Sequence, residues 1–153
     1  MFSNHVQPIR SKNIFQYVTF EQPIVTPSDW IVITQQGYPA PTTLVVPSTG
    51  YYTIMYKMNI CNDERSKTSA LLTKNGIAID GSLFTMTICE SNVMSNTIIV
   101  SLITGDRISL LVGSNAMSRL GHTSFECKLP SGDSFIETTA SIVFTKINYK
   151  LSP

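Results

Sequence analysis

The segment from Asn96 to Val112, NTIIVSLITGDRISLLV, constrains the fold more than any other part of this 153-residue sequence. It is typical of two strands joined by a tight turn at Thr104-Gly105-Asp106, because glycine allows a positive φ and aspartate can hydrogen-bond its own backbone. The apolar side chains alternate with a period of two, as side chains on one face of a strand do. These predicted core residues are Ile98, Val100, Leu102, Ile108, Leu110 and Val112.

The opposite face of this predicted hairpin is also partly apolar. Ile99, Ile103 and Leu111 fall on the side that an ordinary two-layer domain would expose to water. Exposed apolar clusters usually mark contact surfaces. We therefore expect the hairpin to be buried on both faces, with one face in its own core and the other against a second copy of the chain.

The most regular alternation in the sequence begins at Gly50. Tyr52, Ile54, Tyr56, Met58 and Ile60 share one face of this predicted strand. Tyr51, Thr53, Met55, Lys57 and Asn59 share the other. A charged segment at 62–67 follows and is predicted to be a solvated loop, and Asn75-Gly76 is a strong signal for a β-hairpin.

Several further segments are β-branched or alternating and lie between turn signals. No segment shows a helical period over ten residues, and short strands with turn signals every 8–12 residues predict an all-β antiparallel sandwich or jelly roll. The further predicted strands are Ile14–Phe20, Trp30–Ile33, Thr42–Val46, Ser69–Lys74, Ile77–Ile79, Ser82–Cys89, Thr123–Lys128 and Ile136–Ile147.

Composition excludes two classes of partner. Charged residues make up 14% of the chain and the formal net charge is +1. Nucleic-acid binding needs clustered lysine and arginine, so we expect no nucleic-acid partner. No apolar run has the length of a membrane span, and the first residues lack the apolar segment of a secretory signal. We expect a protein that is made without a signal peptide and does not insert into membranes.

Residues 1–13 are predicted to stand apart from the domain formed by residues 14–153. They carry the scattered apolar residues Phe2, Val6 and Ile9, and the bases Arg10 and Lys12 without an acid. This composition is poor material for a strand or a helix. Two interpretations remain open: a frayed terminus, or a flexible arm that becomes ordered only against a partner.

Three motifs, taken in order, resemble the trimeric jelly roll shared by tumour necrosis factor and the complement-type globular head. The first is Gly50-Tyr51-Tyr52-Thr53-Ile54-Met55-Tyr56, similar to the family's Gly-x-Tyr-x-Ile-x-Tyr strand. The second is Gly105-Asp106-Arg107-Ile108-Ser109-Leu110, similar to its Gly-Asp-x-Ile-x-Leu turn and strand. The third is Ala140-Ser141-Ile142-Val143-Phe144-Thr145-Lys146-Ile147, which resembles its closing strand. The resemblance implies an antiparallel jelly roll that forms a homotrimer.

Within that family the sequence most resembles the head domain of the collagen-like glycoproteins on Bacillus spores and related exosporium proteins. This likeness implies a location on the spore surface, in the exosporium or an appendage, for a protein made in the mother cell. The sequence departs from those glycoproteins in having no Gly-X-Y stalk. Residues 1–13 stand where the stalk would be attached.

The resemblance also assigns the two faces of the Gly50 strand. Tyr52, Ile54 and Tyr56 would fill the core, while the alternate residues would point toward the threefold axis. With the apolar residues on the second face of the other strands, the predicted trimer interface consists of Tyr51, Thr53, Met55, Ile99, Leu111 and Val143.

The sequence offers no convergent set of catalytic groups. His5 lies in the predicted arm, and His122 precedes Cys127 without a residue to orient its imidazole. Calcium binds some members of the superfamily, but Asp63 with Glu64 and Asp133 with Glu137 lack the dense spacing of oxygen ligands that calcium uses. We expect no enzyme activity, no metal and no cofactor.

The three cysteines leave several interpretations open. Cys61, Cys89 and Cys127 show no metal-ligand spacing and are odd in number. They could be small buried apolar residues, one disulfide with a leftover thiol, or cross-links between subunits.

Two functional hypotheses follow. The first is a structural, self-assembling spore-surface protein whose partners are itself and other spore-surface proteins. Thirteen extended residues reach about 40 Å, so the arm could join trimers head to tail into a fibre, because such contacts do not close. The alternative is a trimeric carbohydrate- or receptor-binding head, including the tip of a phage fibre.

Overall fold

The computed structural model describes residues 1–3, 7–21, 29–62, 64–116, 118–120, 126–128, 130–131, 134–136 and 139–148. Within these ranges the chain forms fifteen strands and no helix. The strands are β1 (Phe2–Ser3), β2 (Gln7–Pro8), β3 (Gln16–Tyr17), β4 (Ile31–Ile33), β5 (Thr43–Val45), β6 (Gly50–Asn62), β7 (Ser66–Lys74), β8 (Ile77–Ala78), β9 (Phe84–Ile88), β10 (Ser91–Leu102), β11 (Arg107–Ser114), β12 (Ser118–Leu120), β13 (Glu126–Lys128), β14 (Ser134–Ile136) and β15 (Ala140–Ile147).

The strands form two antiparallel sheets and a separate hairpin. In sheet I, β6 pairs with β10 along one edge and with β15 and β12 along the other, and β1 and β2 extend β15 and β12. Sheet II has the order β4-β5-β11-β7, with β3 paired to β11 and with β8 and β9 paired to β7. β13 and β14 pair only with each other. The predicted all-β class is confirmed, and the two sheets are arranged as a sandwich.

The core lies between the two sheets. From sheet I, the predicted inward face of β6 supplies five side chains, each no more than 1% exposed: Tyr52, Ile54, Tyr56, Met58 and Ile60. Leu72 on β7 and Leu110 on β11 are fully buried on the sheet II side. Full burial of such a side chain contributes about 1.5–3 kcal/mol, so the alternation read from the sequence specifies how sheet I packs.

The hairpin predicted at 96–112 is wrong, because its two strands belong to different sheets. β10 pairs with β6 in sheet I, while β11 pairs with β3, β5 and β7 in sheet II. The turn pairs instead with Val46: the Gly105 N–H donates to the Val46 carbonyl and the Val46 N–H to the Asp106 carbonyl, both at 2.8 Å. Gly105 has a φ of 91°, as the turn requires. The segment therefore crosses the sandwich from one sheet to the other.

Asp106 holds this crossing in place. Its side chain is 5% exposed, and its carboxylate accepts hydrogen bonds from the Ile103 N–H at 2.9 Å and from the Asn75 side-chain amide at 2.8 Å. Both donors lose their partner in Asp106→Ala. We expect that variant to lower the free energy of unfolding by about 1–3 kcal/mol, measured by urea denaturation. Asp80→Ala, at an exposed turn, is the control and should change it by less than about 0.5 kcal/mol; equal losses in the two variants would contradict this role.

The hairpin predicted at Asn75-Gly76 is confirmed. Asn75 and Gly76 have φ angles of 53° and 82°, and Thr73 pairs with Ala78 across the turn. The loop predicted at 62–67 is shorter than expected, because β6 extends to Asn62 and β7 begins at Ser66, both buried. The remaining predicted strands are present with shifted, shortened or extended bounds, and residues 123–125 of the predicted strand Thr123–Lys128 lie outside the described residues. The last one begins at Ala140 instead of Ile136.

The expectation that residues 1–13 form no strand is also wrong. β1 pairs with β15 and β2 pairs with β12. The side chain of Gln7 is buried; its Nε2 donates to the Thr19 carbonyl and its Oε1 accepts the Thr19 N–H, both at 2.8 Å. Ile9 is fully buried in the core. Free sheet edges supply the partners that the composition of this segment cannot reveal. Val6 lies outside the described residues, and the domain boundary after residue 13 stays a prediction.

Candidate interaction surface

One outer face of the molecule brings together most of the predicted interface residues. The strands β6, β10 and β15 alternate between core-facing and outward-facing residues, because successive side chains of a strand point to opposite faces. Five of the predicted interface residues face outward on these strands, and we name them the sheet I patch: Tyr51, Thr53, Met55, Ile99 and Val143.

The register places the members of this patch side by side. Thr53 lies opposite Ile99 on β10, and Met55 lies opposite Val143 on β15. Side chains directly opposite in an antiparallel pair have Cβ atoms about 4.5–5.5 Å apart. From Tyr51 to Met55 the patch runs about 13 Å along β6. The five side chains therefore form one continuous surface.

The patch is exposed and nearly neutral. Its four large apolar side chains are between 46% and 68% exposed. The other outward positions of the three strands carry mainly serine and threonine, and Lys57 is the one charged residue among them. A contiguous apolar surface with so little charge is the kind that another protein surface covers.

Val93 extends the same surface and was missed by the sequence-based assignment. It lies on β10 opposite Asn59 and is 43% exposed. The signal for it was the period-two spacing along β10, in which positions 93, 95, 97, 99 and 101 share a face. The predicted hairpin started too late, at Asn96, to include it.

Leu111 does not lie with the other predicted interface residues. It is on β11 in sheet II, where it is half-buried and pairs with Leu71 and Tyr17. Because β10 and β11 belong to different sheets, their outward faces lie on opposite sides of the sandwich. The sheet I patch therefore contains five of the six predicted residues, and Leu111 lies on the opposite surface.

The patch rests on a closely packed layer of aromatic residues. The ring of Trp30 packs against those of Tyr52 at 6.0 Å and Phe144 at 5.2 Å. The Tyr52 hydroxyl donates to the Ser48 carbonyl at 2.7 Å. Burial raises the pKa of the Tyr56 phenol, and the nearby Asn96 side chain opposes part of this increase. Tyr56 is therefore neutral at physiological pH, and the layer under the patch carries no charge from it.

The described part of the chain contains no cluster of three or more histidine, cysteine, aspartate or glutamate side chains that could hold a metal ion. The thiol of Cys61 is buried and that of Cys89 is exposed. His5, His122, Asp63, Asp133, Glu137 and the side chain of Cys127 lie outside what the structure describes. Nor does any helix in the described ranges have the length and apolar character needed to cross a membrane.

No protein-family model and no curated protein matches this chain. The resemblance to the tumour necrosis factor and complement-head family therefore depends on the three sequence motifs. In the structure, the first motif forms most of β6, the second runs from the crossing turn into β11, and the third coincides with β15. The first and third motifs pair with each other in sheet I.

Proposed function

We propose that this protein is a structural, self-assembling homotrimer whose subunits join through the sheet I patch. The observation that carries the proposal is the patch itself, a continuous and nearly uncharged apolar surface on a rigid sheet. Each Å² of apolar surface removed from water contributes about 25 cal/mol. Covering the patch with a second copy is therefore favourable, and the number of copies, three, comes from the sequence resemblance.

The order of strand pairing supports a jelly roll as the fold of each subunit. Four antiparallel pairs are nested along the chain, with β1 and β15 outermost, then β5 with β11, then β6 with β10, and β7 with β9 innermost. Successive pairs alternate between sheet I and sheet II. This winding is that of a long hairpin rolled into two sheets, which is the arrangement of a jelly roll.

The location and the partners that we propose rest on the sequence resemblance. A spore-surface protein made in the mother cell would act by assembling with itself and with neighbouring surface proteins, not by catalysis. The described residues offer nothing against this role: their exposed apolar surface suits a protein partner. Light scattering from the purified protein at low micromolar concentration tests the proposal. Three chains per particle are expected, and a stable single chain would contradict it.

Stacking of trimers into fibres requires a particular arrangement of residues 1–13. In the single chain their described part occupies the edge formed by β15 and β12, and Ile9 lies in the core. A head-to-tail contact would form if these residues left their own subunit and occupied the same edge of a neighbour. Such an exchange reuses existing contacts and does not close, so it would generate a filament.

A disulfide across β1 and β15 tests this exchange. Met1 and Ile142 exchange two backbone hydrogen bonds of 2.9 Å, so the next pair, Phe2 and Ser141, is a non-hydrogen-bonded pair. Its Cα atoms are expected about 4.5 Å apart, within the range of a disulfide. The test variant carries Phe2→Cys and Ser141→Cys, with Cys89→Ser and Cys127→Ser to remove two native cysteines. If the exchange occurs, this variant should give a ladder of cross-linked chains on a non-reducing gel.

Phe2→Cys alone in the same background is the control and should give no ladder. If the double variant forms its disulfide only within single chains, residues 1–13 stay with their own subunit, and the fibre part of the proposal is wrong. The trimer part is unaffected by that result, because the sheet I patch does not include β1.

A further inference from the structure

A polar cavity lies on the outer face of sheet II, on the side of the sandwich opposite the sheet I patch. Its volume is about 420 Å³, within the range of about 300–1,000 Å³ that is usual for ligand pockets. Its floor is a row of three hydroxyl side chains across neighbouring strands. Ser109 on β11 lies opposite Thr43 on β5 and opposite Thr73 on β7.

The three floor residues are almost completely buried although they face outward. Thr43, Ser109 and Thr73 are 1%, 5% and 6% exposed. The hydroxyls of Thr43 and Ser109 share a hydrogen bond of 2.7 Å. The Thr73 hydroxyl makes no hydrogen bond to any residue that the structure describes. This hydroxyl is not among the buried side-chain atoms that lack a partner, so it is open to the solvent in the cavity and can hydrogen-bond a ligand there.

The walls of the cavity place different chemistry on its two sides. Arg107 precedes Ser109 by two residues on β11, and Tyr17 pairs with Leu111, two residues beyond Ser109. Tyr17 packs edge-to-face with Tyr38 at 5.5 Å, which fixes the position of its ring. Gln35 completes the wall and donates to the Thr43 hydroxyl at 3.4 Å. The cavity therefore has a cation on one side and an aromatic ring on the other, with hydroxyls between them.

The cation is available to a ligand. Among the described residues, Arg107 is the one charged residue that lines the cavity. In the described part of the chain, its guanidinium forms no ion pair or hydrogen bond. The carboxylate of the adjacent Asp106 is already engaged with Asn75 and with the Ile103 N–H. An anionic group entering the cavity would therefore meet an uncompensated positive charge.

We propose that this cavity binds a sugar acid, a pyranose that carries a carboxylate, such as a uronic acid at the end of a glycan. The carboxylate would accept two parallel hydrogen bonds from the Arg107 guanidinium, a geometry for which arginine is well suited. The sugar hydroxyls would form hydrogen bonds with the hydroxyls of Thr73 and Ser109. The aromatic ring of Tyr17 would contact the apolar face of the sugar ring. The inference does not rest on the proposed trimer, because sheet II lies on the other side of each subunit.

Titration of the full-length protein with methyl glucuronide, followed by ¹H–¹⁵N NMR, tests the proposal. Saturable shifts are expected at the backbone amides of Thr73, Arg107 and Ser109, with methyl glucoside binding about tenfold more weakly because it lacks the charged group. Arg107→Ala should weaken binding of the glucuronide by about tenfold and leave the glucoside unchanged. Thr73→Val, which preserves shape and removes an unpartnered hydroxyl, should weaken binding of both sugars without lowering stability.

Lys57→Ala, which removes the same charge from sheet I, is the matched control and should bind the glucuronide like the wild type. Three outcomes would overturn the proposal. The first is the absence of saturable shifts up to tens of millimolar glucuronide. The second is equal affinity for the two sugars together with no effect of Arg107→Ala. The third is binding of acetate or inorganic phosphate to the site as tightly as the glucuronide. The last result would identify a simple anion site.

Discussion

Met55→Asp is expected to convert the proposed trimer into single chains. Met55 lies in the middle of the sheet I patch, beside Val143, and is 48% exposed in the single chain. In the separate subunit an aspartate there is hydrated, so the fold should tolerate it. In an interface the same carboxylate would be desolvated, which costs several kcal/mol per ion, and Lys57, two residues along the same face of β6, is the one cation among the outward positions that could offset part of this cost. A cost of that size weakens association by about 100-fold or more.

Light scattering at low micromolar concentration measures the effect, and two other variants make it specific. Ile77→Asp changes an equally apolar residue that is 73% exposed on β8 in sheet II, and it should remain trimeric. Leu111→Asp tests the residue that the sequence placed in the interface and the structure places on sheet II. It too should remain trimeric. A trimeric Met55→Asp protein, or dissociation caused by either sheet II variant, would show that the interface is not the sheet I patch.

Ile9→Ala is expected to lower the free energy of unfolding by about 2–5 kcal/mol, although the residue belongs to a segment that composition alone suggests is unstructured. Ile9 is fully buried, and its N–H donates to the Ser118 carbonyl at 2.8 Å. Truncating its side chain removes apolar contacts and leaves a cavity in the core. If residues 1–13 were frayed, the same change would have almost no effect.

The same substitution five residues later provides a matched control. Ile14 is 61% exposed, so Ile14→Ala should change the free energy of unfolding by less than about 0.5 kcal/mol. Chemical denaturation with a fluorescence or circular dichroism signal measures both variants. Similar, small effects for the two variants would mean that Ile9 is not part of the core in solution.

Features set by local patterns were predictable from the sequence. The strand from Gly50 shows its buried face in the alternation of Tyr52 with its neighbours, because a side-chain period of two is a property of the strand itself. Asn75-Gly76 predicts its hairpin because both residues accept a positive φ. The outward position of Ile99 followed from the same alternation.

Features set by pairing between distant segments were not predictable in this way. The turn at Gly105 indicates that the chain reverses, but not that the two strands then join different sheets, which places Leu111 far from Ile99. Ile9 is buried because β12 offers an edge that accepts β2. The hydroxyl row of the cavity joins Thr43, Thr73 and Ser109, and only the register of three strands brings these residues together.

The position of β6 in the centre of sheet I has a consequence for synthesis on the ribosome. One edge of β6 can pair with β10 as soon as residue 102 has emerged. On the other edge, β12 can cover residues 60–62, but residues 51–58 must wait for residues 140–147. At about 5–20 residues per second this wait is on the order of seconds. During that time the nascent chain displays an unpaired strand edge beside Tyr51 and Met55. Long-range pairing of this kind slows folding, so we expect the chain to become competent for the proposed assembly only after residue 147 has left the ribosome.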